Sequence, residues 1–362
     1  MNITLIAGAR PNFMKIAPII DAIKQKQSTG TDIQFSLVHT GQHYDEKMSA
    51  TFFMELGIPE PDVNLACGGG SQAEQTASIM IRFESYLLKN PSDLVLVVGD
   101  VTSTMACAIV AQKLGTKVAH VEAGIRSGDW SMPEEINRLV TDSITNYFFT
   151  TTEIANQNLR VNGVKENQIF FVGNTMIDTL LKYMDRLIKP AIFDEQSLDA
   201  GNYFIVTIHR PSNVDNPEQL KQLLGEIITS AKGYKVIFPV HPRTRKSIES
   251  NGLFYENLIM ADPLGYLEFN YLVKHAKGVI TDSGGITEET TVMGVPCMTL
   301  RNTTERPETC IIGTNELLGT DPKAIKPAMD KLLNGQWKKG GIPDKWDGKA
   351  AERIVNHLLN II

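Results

Sequence analysis

Cysteine is scarce in this chain: there are four in 362 residues. They are Cys67, Cys107, Cys297 and Cys310, and no two form a CxxC pair. Neither a disulfide framework nor a cysteine-based zinc site is expected, and a reducing cytoplasm is the simplest setting. Long apolar runs are missing too. The longest, such as Leu94–Val98, are strand-sized. A membrane-spanning helix needs roughly 18 apolar residues, so no membrane association is expected. The opening Met1–Gly8 has neither a basic leader nor an apolar segment long enough for a secretory signal. Positive charge is not in excess. Lys and Arg number 35 against 41 Asp and Glu, a net charge of −6, which argues against a nucleic-acid partner held by overall charge. The dinucleotide fingerprint GxGxxG and the Walker loop GxxxxGK[ST] are absent. That argues against nicotinamide-dependent oxidoreductases and P-loop nucleotide hydrolases. With 42% hydrophobic and 21% charged residues, what remains is an ordinary globular protein, long enough for two domains.

What is present is a rhythm. In the first half Ile3–Ile6 reads as a strand, Met14–Lys24 as a helix and Ile33–His39 as a strand. Leu94–Val98, Ser103–Leu114 and Val118–Val121 repeat the alternation. It resumes after about residue 170 with Tyr203–Ile208, Pro217–Ala231, Val236–Val240, Tyr266–His275, Val279–Thr281, Ile286–Met293 and Cys297–Leu300. Strands alternating with helices imply parallel sheets with helical crossovers. The two halves also echo each other. Val97-Val98-Gly99-Asp100 and Val279-Ile280-Thr281-Asp282 each end a strand, turn through a polar loop, enter a helix and reach a glycine and a further strand. The expected fold class is therefore α/β, with two Rossmann-like domains. The boundaries fall at 1–171 and 172–346, with the amphipathic C-terminal stretch 347–362 joining the first domain. In such sheets ligands sit at the carboxyl ends of the strands. Two facing halves would place a cleft between those ends.

The chemistry-bearing residues cluster at those ends. Gly8-Ala9-Arg10-Pro11 follows the first strand, with Lys15 one turn into the helix, and two cations at a strand-to-helix turn suit an anion. Asp282-Ser283-Gly284-Gly285 lies between a strand and a helix, where small residues let a diphosphate approach free N–H groups. Glu288 and Glu289 follow, and a carboxylate there can accept from ribose hydroxyls. The plainer reading is a helix start with acidic residues on its first turn. Asp100, Glu122 and Glu134 look like acid/base equipment, since carboxylates ending apolar strands are rarely idle. Glu135 reads instead as a solvated helix start. His120 shares the side-chain parity of Glu122, and a core or supporting role suits it better than ligation. His209-Arg210 and His241-Pro242-Arg243 end consecutive strands and would supply donors to one cleft. No second His or Cys stands at a metal-ligand spacing beside them, so no metal is expected. Arg301, Glu305 and Arg306 add charge beyond a further strand end. His39 and His43 read as polar loop residues.

Taken together, these motifs resemble the non-hydrolysing UDP-N-acetylglucosamine 2-epimerases over nearly the whole chain. The matching stretches are Gly8–Pro11 with Lys15, His39–His43, Gly99-Asp100, His120–Arg126, Pro133–Arg138, His209–Asn213, Thr281–Glu289 and Thr304–Pro307. The resemblance implies the GT-B architecture and reversible C2 epimerisation of a UDP-sugar without a cofactor. It implies a cytoplasmic homodimer serving polysaccharide precursor synthesis. Arg10, Lys15, Asp100, Glu122, Glu134 and His209 take the family's active-site positions. Arg210, Ser283, Gly284, Gly285, Glu289 and Arg306 match UDP-binding positions, and Leu264 and Phe269 fall where the uracil is held. Gln42 and His241 match a second, activating UDP-sugar site. The basic residue expected near Ser71 is missing, Val98 replaces a His common before Gly-Asp, and Ser212 stands where Glu is common. The hydrolysing relative, which releases N-acetylmannosamine and UDP, shares most of these motifs. So does an epimerase of a modified UDP-sugar.

Overall fold

The computed structural model describes residues 1–41, 55–240 and 242–361, with the side chains of 10, 211, 212, 242, 243 and 247 outside the description. The chain forms two compact units, Met1–Lys182 with Asp344–Ile362, and Tyr183–Pro343.

The first unit is built on seven parallel strands: β1 Asn2–Ala7, β2 Gln34–His39, β3 Val63–Asn64, β4 Leu94–Val98, β5 Lys117–Val121, β6 Tyr147–Thr150 and β7 Ile169–Phe171. Their order across the sheet is β3-β2-β1-β4-β5-β6-β7. All five residues of β4 are buried, as an uninterrupted apolar strand must be when helices cover both faces. The winding reverses between β1 and β4, which opens a crevice at their carboxyl ends. Helix Arg10–Ser28 starts at one side of that crevice and helix Thr102–Lys113 at the other.

The second unit repeats the plan with six parallel strands: β8 Tyr203–Thr207, β9 Lys235–Pro239, β10 Leu258–Ala261, β11 Gly278–Thr281, β12 Cys297–Thr299 and β13 Asn315–Leu317. The order is β10-β9-β8-β11-β12-β13, so the switch point lies between β8 and β11. Phe204 and Val206 join one hydrophobic core while Tyr203 and Ile205 join another, as the two-residue period of a strand covered on both faces requires.

These two parallel α/β units are the fold class the sequence implies. The crossing between them falls at Lys182 and not near 171, because helix Thr175–Tyr183 is tied to the first unit. Thr179 Oγ1 donates to Met14 O at 2.5 Å, and Lys182 pairs with Asp21 at 2.5 Å. The return crossing comes at Asp344, and Trp346 is buried with Nε1 donating to Thr151 O at 3.2 Å. The final helix Ala350–Ile361 starts on Asp178, whose carboxylate accepts from the Ala350 and Ala351 amides at 3.1 and 2.7 Å. Strands β3, β6, β7, β10 and β13 and helices Gln72–Lys89 and Glu153–Val161 were not anticipated from the sequence. Helix Gln72–Lys89 carried a readable signal, since its buried Ile79, Phe83 and Leu87 lie four apart behind a Ser71–Glu74 capping box. Among the described residues no helix is long and apolar enough to cross a membrane.

Candidate active site

In the first unit the carboxyl ends of β1, β4 and β5 bring together residues far apart in sequence. The Gly8 and Ala9 amides donate to Asn12 Oδ1 at 3.1 and 3.0 Å, and Asn12 Nδ2 donates to Val98 O at 3.0 Å. That lashes the β1 turn to the end of β4. One helical turn on, Lys15 Nζ reaches Glu122 Oε2 at 2.6 Å, and both residues are buried. Glu122 sits at φ 69°, a left-handed conformation that costs a non-glycine residue about 1–2 kcal/mol. The chain accepts that cost where it leaves β5, and the turn aims the carboxylate at Lys15.

Asp100 follows β4 through Gly99. Its Oδ2 accepts from Arg138 Nη2 at 2.5 Å and from Arg138 Nε at 3.0 Å. Arg138 Nη1 also donates to Glu135 Oε2 at 2.5 Å. Glu135 in turn takes the amides of Ser127 and Gly128, at 2.9 and 3.0 Å, and the Ser127 hydroxyl at 2.9 Å. Burial pushes the Glu135 carboxyl up, but these amides, the hydroxyl and Arg138 outweigh it and hold it below the usual carboxylate range. Glu134, its neighbour on the first turn of helix Pro133–Ile144, is half-buried.

In the second unit Asp282 organises the turn after β8. This fully buried carboxylate accepts from the His209 amide at 3.1 Å, the Arg210 amide at 2.9 Å and Asn213 Nδ2 at 3.0 Å. His209 Nδ1 lies 2.9 Å from its Oδ1, leaving the rest of an exposed imidazole facing outward. Burial pushes the Asp282 carboxyl up, but His209, Asn213 and the Arg210 amide outweigh it and keep it ionised. Arg210 Nε donates to Asp282 O at 3.1 Å. Beyond β11, helix Gly284–Met293 starts with two glycines, and the amides of a first turn have no partner inside their own helix. A Cβ on Gly284 would overlap the Glu305 carboxylate, which pairs with Arg301 at 2.6 Å. Glu289 is buried on the same helix beside the Tyr266 hydroxyl and Asn270, and burial pushes its carboxyl up to about 7. Leu264, Phe269 and Ile286 are half-buried and pack on one core of this unit.

The sequence signature of the family described as UDP-N-acetylglucosamine 2-epimerase matches residues 25–359. A Methanocaldococcus jannaschii protein named UDP-N-acetylglucosamine 2-epimerase is 43% identical over 371 residues, covering 99% of both chains. This chain belongs to the UDP-N-acetylglucosamine 2-epimerase family. The crystal structure of the M. jannaschii UDP-GlcNAc 2-epimerase in complex with UDP-GlcNAc and UDP matches it with a TM-score of 0.89 at 42% identity, over 99% of this chain and 100% of that one. A Pseudomonas aeruginosa UDP-2,3-diacetamido-2,3-dideoxy-D-glucuronate 2-epimerase is 37% identical over 370 residues and covers 100% of both.

Several sequence expectations are corrected within this family member. Glu135 is no solvated helix start. It is 2% exposed and forms the hub between Arg138 and the loop at 127–128. Glu288 cannot serve a ribose as it stands, because it is fully buried and pairs with Arg306 Nε at 2.5 Å. The Ser283 amide donates to Thr281 Oγ1 at 3.0 Å. His39 is 1% exposed at the end of β2 and meets Phe13 edge-on at 5.1 Å. Burial lowers its pKa. His120 is fully buried, in keeping with a supporting role. Arg10 opens helix Arg10–Ser28, and its side chain is outside the description. Gln42, His43 and His241 lie outside the described residues. Asp282, Arg138 and Glu135 were not singled out as site residues. All three stood inside the quoted motifs. Asp282 holds the turn that carries His209 and Arg210, and Arg138, itself held by Glu135, binds Asp100.

Proposed function

We propose that this protein interconverts UDP-N-acetylglucosamine and UDP-N-acetylmannosamine without hydrolysis. The observation that carries the reading is the pair of carboxylates, Asp100 and Glu122, on the ends of adjacent strands, each fixed by its own cation. The naming of the M. jannaschii relative and its complex with UDP-GlcNAc and UDP support it.

The C2 hydrogen of the sugar is not next to a carbonyl and is a poor acid. Departure of UDP changes that. As the C1–O bond breaks, its electrons leave with the diphosphate and C1 becomes electron-poor. A carboxylate then removes the C2 proton, and the C–H electrons form the C1–C2 double bond of 2-acetamidoglucal. Return of a proton to the opposite face of C2, with attack of UDP on C1, gives the epimer. Such a reaction needs stabilisation of the leaving diphosphate and acid/base groups near C2. We assign the first task to Arg210, His209, Arg306, Arg10 and the Gly284 and Gly285 amides. Asp100, Glu122 and Glu134 serve the second, with Lys15 holding Glu122. Glu289 meets the ribose, and Leu264 and Phe269 flank the uracil. No resident cofactor has a place in this scheme.

Proton NMR with UDP-GlcNAc in D₂O tests it. The expected result is a mixture of UDP-GlcNAc and UDP-ManNAc with deuterium at C2. Free N-acetylmannosamine plus UDP would make the enzyme a hydrolysing one. The relationship to the P. aeruginosa enzyme favours a second reading, the same chemistry on a diacetamido uronic acid. An unchanged UDP-GlcNAc spectrum with turnover of that substrate would establish it.

A further inference from the structure

His120 has no task in the scheme above, yet its surroundings are among the most constrained in the first unit. The ring is completely buried on β5. Its Nε2 lies 2.8 Å from the carbonyl of Gly99, and its Nδ1 lies 2.7 Å from Asp142 Oδ1. Burial pushes the Asp142 carboxyl up, but His120 and Arg126 outweigh it and hold it below its ordinary range. The Asp142 carboxylate and the Gly99 carbonyl are both acceptors, so each ring nitrogen of His120 faces an acceptor. The other Asp142 oxygen takes the Gly124 amide at 3.0 Å and Arg126 Nη1 at 2.6 Å.

The far end of this chain is Gly99, the residue that turns the backbone from β4 into Asp100. Gly99 adopts φ 70°, and a Cβ there would lie 3.3 Å from Lys15 Nζ and 3.6 Å from Glu122 Oε2. Its amide donates to Val121 O at 3.0 Å. The peptide is thus gripped on its N–H by β5 backbone and on its C=O by His120. A left-handed turn of this kind has little intrinsic preference for one orientation of its carbonyl. A buried donor supplies that preference, since rotating the carbonyl away would leave a ring N–H without an acceptor.

We propose that His120 is a positioning residue: by holding the Gly99 carbonyl it fixes the turn that presents Asp100 beside the Lys15–Glu122 pair. The proposal rests on the reading of Asp100 as an acid/base group. It extends that reading to a residue that touches no substrate. Small misplacements of a reacting group cost on the order of 100-fold in rate, so the clamp matters to catalysis more than to binding.

Two substitutions separate the two ends of the ring. Glutamine places its amide where Nε2 stands and can still donate to Gly99. Asparagine places its amide where Nδ1 stands and can still meet Asp142. His120→Asn is expected to lower kcat for UDP-GlcNAc by roughly 30–100-fold while the Kd for UDP stays within about 3-fold. His120→Gln is expected to keep kcat within about 5-fold of wild type, even though both variants lose thermal stability. Equal losses of kcat that follow the losses in melting temperature would overturn the proposal, and so would weakened UDP binding with kcat intact. Amide exchange at Gly99, followed by NMR in the same proteins, gives an answer free of turnover. Faster exchange in the asparagine variant than in the glutamine variant supports the clamp, and equal exchange overturns it. If the wild type turns over neither UDP-sugar, the proposed reaction fails, and the Gly99 exchange still decides whether His120 holds the turn.

Discussion

Asp100 and Glu122 end neighbouring strands but live in different surroundings. Glu122 is buried against Lys15, whereas Asp100 keeps 29% of its side chain exposed and meets Arg138 with one oxygen. Asp100→Asn keeps the shape and removes the carboxylate proposed above as an acid/base group. It should lower kcat by about 100-fold or more, within the usual range for an acid/base group, and leave UDP affinity nearly unchanged. Single-turnover kinetics beside calorimetric UDP titration measures both, and weakened UDP binding with normal kcat would remove Asp100 from this role. Glu289 gives a second test at the same scale. Its carboxyl is raised from about 4.5 to about 7 by burial, so between those values the folded state holds a proton that the unfolded state has lost. Stability is then full below pH 4.5 and falls as pH rises through 7, by on the order of 3 kcal/mol. Glu289→Gln removes that dependence. Its urea midpoint, measured without ligand, should gain on wild type between pH 5 and 7.5, and parallel curves would contradict the burial argument. At this scale the sequence announced the carboxylates through their places after apolar strands. It could not announce Asp282, Glu135 or Arg138 as organisers. Their meaning comes from partners 3 to 73 residues away, such as Ser127, Asp100 and His209.

Among the elements, helix Gly284–Met293 has a specific steric requirement at its start. Two glycines followed by β-branched residues make a poor first turn by propensity. The reason lies in Glu305, whose carboxylate occupies the space a side chain on Gly284 would need. Gly284→Ala must push Glu305 and its partner Arg301 aside or tilt the helix. We expect at least a 10-fold loss in UDP affinity with an unchanged fold, measured by calorimetry and circular dichroism. Unaltered affinity would show that phosphate does not approach this turn. Strand and helix identities here were legible because β11 and the helix carry uniform apolar and glycine signals. The short edge elements were not. β3 has two residues and β13 three, too few for a period to emerge. β6 and β7 were equally hidden, since Tyr147–Thr150 and Ile169–Phe171 are brief apolar runs without alternation.

The whole molecule is one winding pattern used twice. Counted from its own first strand, each unit runs 3-2-1-4-5-6, with one further strand on the first sheet. The echo between Gly99-Asp100 and Asp282-Ser283 reflects this, because both follow the strand next to the switch point. The crossing near 182 was less legible, since helix Thr175–Tyr183 is joined to the first unit by contacts with Met14 and Asp21 that no local pattern encodes. Duplication of the frame lets chemistry diverge between copies. The first switch point carries carboxylates held by Lys15 and Arg138. The second carries the exposed His209, Arg210 and a glycine-started helix. A nucleotide without its sugar should therefore engage chiefly the second unit. UDP at 100 times its Kd should stabilise that unit by about 2.7 kcal/mol. In hydrogen exchange it should slow the amides of Gly284–Met293 and the turn at 209–210, while those of Ala350–Ile361 exchange as before. Protection confined to the turns after β1 and β4 would reverse the assignment of the two switch points and place the diphosphate with Arg10 and Lys15.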